Sequence, residues 1–197
     1  QVIAIDGKQL RGSNDTESGK NAIYIGSAWA TENELVLGQG KLDDKSNEIT
    51  AIPKLINLLE IAGCIVTIDA IGTQTKIAKT IVDREGDYLL AVKENQGNLH
   101  EDIHDLFEDE QKYNFENTPY NYAKTVNKDH GRIEIRQCWA ISDPEYLATI
   151  RNRERWHGLK SLAMIISERR IGEESEIQTH YFITSLENDA GKILNAK

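Results

Sequence analysis

The spacing of apolar residues in the first half of the chain predicts an alternation of strands and helices. Runs that alternate or are continuously apolar predict strands, and apolar residues three and four apart predict helices. The predicted order is β-β-β-α-β-α-β, at residues 2–6, 22–30, 34–42, 48–62, 64–70, 74–85 and 87–93. Strands that alternate with helices after an antiparallel start indicate an α/β fold, in which helices flank a mixed sheet.

The second half of the chain has a different pattern. An amphipathic helix is predicted at 98–110, and a polar stretch then runs through Pro119. Three strands are predicted after it, at 132–141, 161–171 and 176–186, and residues 187–197 begin another helix. This half of the chain is therefore expected to be rich in strands.

Composition limits the class of protein. Hydrophobic residues make up 39% of the chain and charged residues 28%, and no apolar run has the length of a membrane span. The chain opens on a strand pattern without a Met or a signal-peptide layout, which predicts a piece of a longer protein. With only two cysteines, Cys64 and Cys138, a cytoplasmic location is expected.

The formal net charge of −9 argues against a nucleic-acid partner, because DNA binding generally needs a basic face. The charge is unevenly distributed, however. Residues 101–116 hold seven acids and one lysine, whereas residues 151–160 hold four basic residues and one glutamate. A metal-dependent nuclease core is also expected to be acidic at its centre, so the net charge alone does not decide the partner.

Two aspartates each close an apolar strand: Asp6 ends VIAID and Asp69 ends CIVTID. Sites in α/β sheets form at the carboxyl ends of strands, and neighbouring strands lie about 4.8 Å apart. Two carboxylates at that distance repel each other unless a cation lies between them, and Mg²⁺ prefers oxygen ligands. The pattern predicts a metal site at Asp6 and Asp69, with strand-terminal aspartates that cap turns as the alternative.

A series of longer motifs carries a family resemblance. The segments AIDGKQLRGS, LGQGKLDDKSNEITAIPKLI, GCIVTIDAIGTQTKIAKTI, GDYLLAVKENQ, HGRIEIRQC and WHGLKSLAMI resemble the H-repeat-associated group of bacterial insertion-sequence transposases. The resemblance extends from about residue 2 to residue 190 and implies an RNase H-like fold of the DDE class. It implies Mg²⁺- or Mn²⁺-dependent DNA cleavage and strand transfer, with Asp6 and Asp69 as the first two catalytic carboxylates.

The resemblance also implies an organisation and a partner. Residues 1–97 would form the first part of the RNase H-like core, 98–186 a helix plus a strand-rich insertion, and 187–197 the truncated start of a helix that returns to the core. The partner would be double-stranded DNA, both transposon ends and target, bound by a homo-oligomer.

The third carboxylate of this family is a Glu in a segment resembling His-Trp-x-Ile-Glu-Asn. No acid in this chain matches that segment, so we expect the Glu to lie beyond Lys197 and this chain to be inactive by itself. A remnant without catalysis, which binds DNA or protein, is the alternative.

Several polar and basic residues are candidates for DNA contact. Polar side chains at the end of a strand can position phosphates without reading the DNA sequence. The alternative without a function in DNA binding is a solvated loop residue or a cross-strand ion pair. The candidates are Lys8 and Arg11 after Asp6, Lys93, Asn95 and Gln96 after the strand at 87–93, and Arg132 and Arg136 on the strand at 132–141.

The segment His100-Glu101-Asp102-Ile103-His104 matches H-E-x-x-H, the zinc-protease signature. Two histidines four apart on a helix share a face, so His100 and His104 could bind Zn²⁺ while Glu101 activates water. The alternative is two surface histidines beside an apolar helix face. A zinc hydrolase is therefore kept as a second functional hypothesis.

Overall fold

The structure is a computed structural model that describes residues 1–9, 24–30, 35–41, 48–129 and 131–197. The chain divides into two compact units, Gln1–Leu90 and Ala91–Lys197. No described helix is long and apolar enough to cross a membrane.

The first unit contains a five-stranded sheet. Its strands, in spatial order, are β3 (Leu35–Lys41), β2 (Tyr24–Ala30), β1 (Val2–Gln9), β4 (Ile65–Ile68) and β5 (Asp87–Val92). The pairs β3–β2 and β2–β1 are antiparallel, whereas β1–β4 and β4–β5 are parallel. This arrangement confirms the predicted RNase H-like mixed sheet.

Two described helices belong to the first unit. Helix α1 (Glu48–Leu58) ends four residues before the predicted end at 62, and helix α2 (Thr75–Asp83) lies within the predicted 74–85. Helix α2 buries Ile77, Ala78 and Ile81, which are spaced as one helical face. Strands β4 and β5 are also largely buried, as continuous apolar strands in a parallel sheet should be.

The second unit contains four antiparallel strands in the order β9-β8-β7-β6. Their bounds are β6 (Asn121–Asp129), β7 (Arg132–Ile141), β8 (Ser161–Ile171) and β9 (Glu174–Thr184). The pattern did not predict β6, because this edge strand is exposed or half-buried throughout and therefore lacks an apolar face. Its hydrogen bonds to β7 make it a strand.

Three helices accompany these strands. They are α3 (Asn98–Lys112), α4 (Pro144–Leu147) and α5 (Ala190–Ala196). Helix α3 buries Leu99, Ile103 and Phe107 and contacts β9, whereas α5 contacts β6, β7 and β8. The strand-rich second half is therefore covered by helices from both ends of its own segment.

Candidate metal centre

The register between β1 and β4 brings two aspartates to adjacent backbone positions. Ile5 of β1 pairs with Ile68 of β4 in parallel; Asp6 is the next residue of β1, and Asp69 directly follows the end of β4. Asp6 also pairs with Ser27 on the other side of β1. Neighbouring strands lie about 4.8 Å apart, so the two backbone positions lie side by side where β4 ends, whereas β1 continues to Gln9, beyond its predicted end at residue 6.

Backbone hydrogen bonds hold the Asp69 carboxylate in place. Its Oδ1 accepts hydrogen bonds from the N–H groups of Ile71 at 3.2 Å and Gly72 at 3.3 Å. Within the described part of the chain, Oδ2 has no hydrogen-bond partner, and the residue is exposed. One carboxylate oxygen is thus oriented by the turn while the other faces solvent.

The turn after Asp69 depends on two small residues. The N–H of Gly72 donates to the backbone oxygen of Asp69 at 3.1 Å, and the hydroxyl of the fully buried Thr73 donates to the same oxygen at 3.2 Å. A Cβ at Gly72 would lie 2.3 Å from Ile68 Cγ2 and 2.7 Å from Ile52 Cδ1. Sequence reasoning did not single out Gly72 or Thr73; the available signal was a glycine followed by a threonine, three and four residues after an acid that follows an apolar run.

The donor chemistry fits a hard divalent cation. Carboxylate oxygens are the ligands that Mg²⁺ and Mn²⁺ prefer, and Mg²⁺ often takes only one or two protein carboxylates beside water and phosphate. Among the described residues, no three His, Cys, Asp or Glu side chains form a group that could hold a metal. The predicted pair of carboxylates therefore remains the candidate.

The candidate DNA contacts next to the strands lie at separate places. Lys8 lies within β1 opposite Ile25, and Arg11 lies outside the described residues. Lys93 immediately follows β5, is exposed, and precedes a 3₁₀ turn, Glu94–Gln96. Asn95 within that turn is exposed, and Gln96 at its end is half-buried.

The basic residues on β7 share one face of the strand, and one of them forms an ion pair. Arg132, Glu134 and Arg136 alternate along the strand and are all half-buried. An ion pair of 3.6 Å joins Arg136 Nη2 to Glu134 Oε2, so it runs along one strand rather than across strands. The face therefore carries both arginines, one of which is paired with an acid.

The H-E-x-x-H segment lies on α3, where its side chains have other partners. The rings of His100 and His104 contact the ring of Tyr181 edge-on, at centroid distances of 5.7 and 5.9 Å. The Glu101 carboxylate accepts a hydrogen bond from the Arg151 guanidinium. The histidines pack on an aromatic ring and the glutamate forms an ion pair, so the geometry gives no support to a zinc hydrolase.

Comparison with known proteins identifies the family. The sequence model described as "Transposase DDE domain" matches residues 1–185. The chain belongs to this transposase DDE domain family. This membership agrees with the resemblance drawn from the sequence motifs and offers nothing for the zinc hypothesis.

Individual relatives agree with the family. The chain is 43% identical over 199 residues to the protein named "H repeat-associated putative transposase YhhI" of Escherichia coli (strain K12), covering 99% of this chain and 51% of that one. It is 39% identical over 183 residues to "Uncharacterized protein in dhlA 3'region" of Xanthobacter autotrophicus, covering 93% and 59%. The chain spans about half the length of the curated relatives it matches.

A solved structure of a "piggyBac transposase synaptic complex with hairpin DNA" is similar over 96% of this chain and 34% of that chain. The TM-score is 0.44 and the sequence identity 12%.

Proposed function

We propose that this chain carries the first two catalytic carboxylates of a DDE transposase, Asp6 and Asp69, and that they hold Mg²⁺ or Mn²⁺. The observation that carries the proposal is the parallel register of β1 and β4, in which both aspartates directly follow the paired residues Ile5 and Ile68. Membership of the transposase DDE domain family supports the same assignment.

The proposed reaction is in-line attack on a DNA phosphodiester. Water attacks phosphorus in the cleavage step and a DNA 3′-hydroxyl attacks it in strand transfer, and in each case the bond to the opposite oxygen breaks. A bound divalent cation polarises the phosphoryl oxygens and stabilises the negative charge of the attacking and leaving oxygens.

The residues of this chain prepare the site. The N–H groups of Ile71 and Gly72 hold Asp69 Oδ1, which orients Oδ2 toward the solvent-exposed edge of the sheet. Because the turn fixes this carboxylate before the cation arrives, little side-chain entropy is lost on binding. A Glu beyond Lys197 as the third carboxylate stays a prediction.

The substrates and assembly belong to the same proposal. Double-stranded DNA, both transposon ends and target, would be the substrate, and the protein would act as a homo-oligomer in the cytoplasm. The candidate residues Lys8, Arg11, Asn95, Gln96 and Arg132 would contribute phosphate contacts.

Isothermal titration of Mn²⁺ tests the carboxylate site. We expect weak binding to the wild-type chain that disappears in Asp6→Asn and in Asp69→Asn, because each variant removes one anionic ligand. The matched control is Asp83→Asn, an exposed aspartate of the first unit that pairs with Lys79 at 2.7 Å. Mn²⁺ binding that survives in Asp69→Asn, or that Asp83→Asn reduces equally, would contradict the site.

A further inference from the structure

Strand register and helix packing bring three basic side chains of the second unit to one face of its antiparallel sheet, and the positive charge of a fourth, Lys93, acts on two of them. We call this group the basic cluster; its members are Lys93, Arg136, His180 and Lys197. Sequence reasoning predicted DNA contacts for Lys93 and Arg136 individually and missed His180 and Lys197. What joins them is the fold of residues 91–197.

The strand register places two members of the basic cluster on one face. Cys138 of β7 pairs with Ile165 of β8, which pairs with His180 of β9, and directly paired residues share a face. Arg136 precedes Cys138 by two residues and therefore lies on that same face. The side chains of Arg136 and His180 thus project from the same side of the sheet.

Helix α5 brings Lys197 to this face. The N–H of Ala190 donates to Asn121 Oδ1 at 2.8 Å, and Asn121 pairs with Ala140, which shares the face of Arg136. Helix α5 packs against β6, β7 and β8, and Lys197 directly follows it, near enough for the positive charge of Arg136 to act on it.

Electrostatics within the basic cluster is consistent with this convergence. Burial lowers the pKa of Lys197, and the cations of Arg136 and Lys93 lower it further. Burial likewise lowers the pKa of His180, and the positive charges of Lys197 and Lys93 lower it further. In the described part of the chain, Arg136 is the member of the cluster that forms an ion pair with an acid, Glu134, at 3.6 Å. The cluster therefore has a surplus of positive charge.

We infer that the basic cluster is a phosphate-binding site that binds the DNA backbone. Lysine and arginine bind phosphate through charge-assisted hydrogen bonds and carry no sequence information by this contact. A phosphate anion among these cations would relieve their mutual repulsion. The assignment of this phosphate to DNA rests on the proposed function. The ability of the basic cluster to bind a phosphate does not.

Salt-dependent binding of a fluorescent DNA duplex tests this inference. The double variant Lys93→Gln/Lys197→Gln removes two cluster cations. Its control, Lys112→Gln/Lys160→Gln, removes two lysines of the same unit that pair with acids outside the cluster. Each neutralised phosphate contributes about 0.9 to the slope of log K against log salt, so we expect the slope to fall by about 2 in the cluster variant and to stay unchanged in the control.

Equal slopes in the cluster variant and the wild-type chain would overturn the DNA assignment, as would an equal loss in the control. A second titration uses inorganic phosphate and follows the His180 ring by NMR. We expect phosphate to raise the pKa of His180 in the wild-type chain but not in the cluster variant.

The two titrations separate the sources of phosphate. A His180 response to inorganic phosphate in a chain that does not bind DNA would retain the phosphate site and remove the DNA part of the proposed function. The absence of a response to either ligand would overturn the inference. Mn²⁺ binding at Asp69 is measured independently, so failure of the metal site is distinguishable from failure of the basic cluster.

Discussion

The conformation of Asp69 depends on the small residues that follow it. Gly72 donates its N–H to both the backbone oxygen and the side chain of Asp69, and its backbone packs against Ile68 and Ile52. Ile52 and Ile68 are both buried, which leaves little room for a larger residue at this turn. The orientation of the carboxylate and the packing of the core are therefore coupled.

Replacement of Gly72 by alanine is expected to destabilise the protein by about 1–3 kcal/mol, the usual cost of overpacking. The added Cβ would lie 2.3 Å from Ile68 Cγ2, so the turn or the strand must move. Urea unfolding measures the loss, and Mn²⁺ titration should show weaker binding.

The control for this prediction is Gly191→Ala. Its Cβ would lie 3.4 Å from Oδ1 of Asp189, the N-cap residue of α5, which is an ordinary contact, so we expect no loss of stability. An unchanged urea midpoint for Gly72→Ala would show that the turn accepts a side chain.

At the scale of elements, hydrogen bonds and ion pairs of Arg151 join the segment after α4 to α3. The N–H of Arg151 donates to Asp102 Oδ2 and its Nε to Asp102 Oδ1, both at 2.7 Å. The same guanidinium also pairs with Glu101 and contacts the Asn98 carbonyl. Part of the positive charge that the sequence shows at 151–160 is therefore neutralised by acids of α3.

Arg151→Ala is expected to lower the melting temperature and to speed hydrogen exchange in residues 148–157. The substitution leaves the Asp102 carboxylate, 11% exposed, without its guanidinium partner. Arg153→Ala, in the adjacent exposed 3₁₀ turn, removes the same charge without that ion pair and is the control. Equal effects of the two substitutions would show that the change in net charge, rather than the loss of the Arg151–Asp102 ion pair, lowers the melting temperature.

At the scale of the whole molecule, each compact unit contains one buried free cysteine: Cys64 in the first and Cys138 in the second. Burial raises the pKa of Cys138 to about 12, and the residue is fully inaccessible. Cys64 is 9% exposed, and its thiol donates to the Ala62 carbonyl at 3.8 Å. The two thiols therefore report on different units.

We expect Cys64 to react with a thiol reagent at pH 8 before Cys138 does. Thiolate is the reactive form, and a pKa of about 12 leaves roughly one Cys138 in ten thousand ionised at that pH. Mass spectrometry of partially labelled protein measures the order. The variant Cys64→Ala should retain only the slow phase, and a rapid phase that persists in it would contradict the assignment.

The sequence by itself determined the family and the mixed sheet, and it predicted Asp6 and Asp69 as a pair of metal ligands. These features depend on local patterns: apolar runs that are followed by an acid, helices with regular spacing, and motifs that are continuous in the chain. The buried strands β4 and β5 were predictable because parallel strands covered on both faces must be apolar.

Only the tertiary structure decided the features that depend on residues far apart in the chain. Strand β6 has no apolar face, so its pairing with β7 could not be predicted from periodicity. The pairing of Glu101 with Arg151, which engages the carboxylate proposed to activate water at a zinc site, joins residues 50 positions apart. The basic cluster likewise forms only when α5, β7 and β9 pack together, because the charge of a surface depends on folding rather than on net composition.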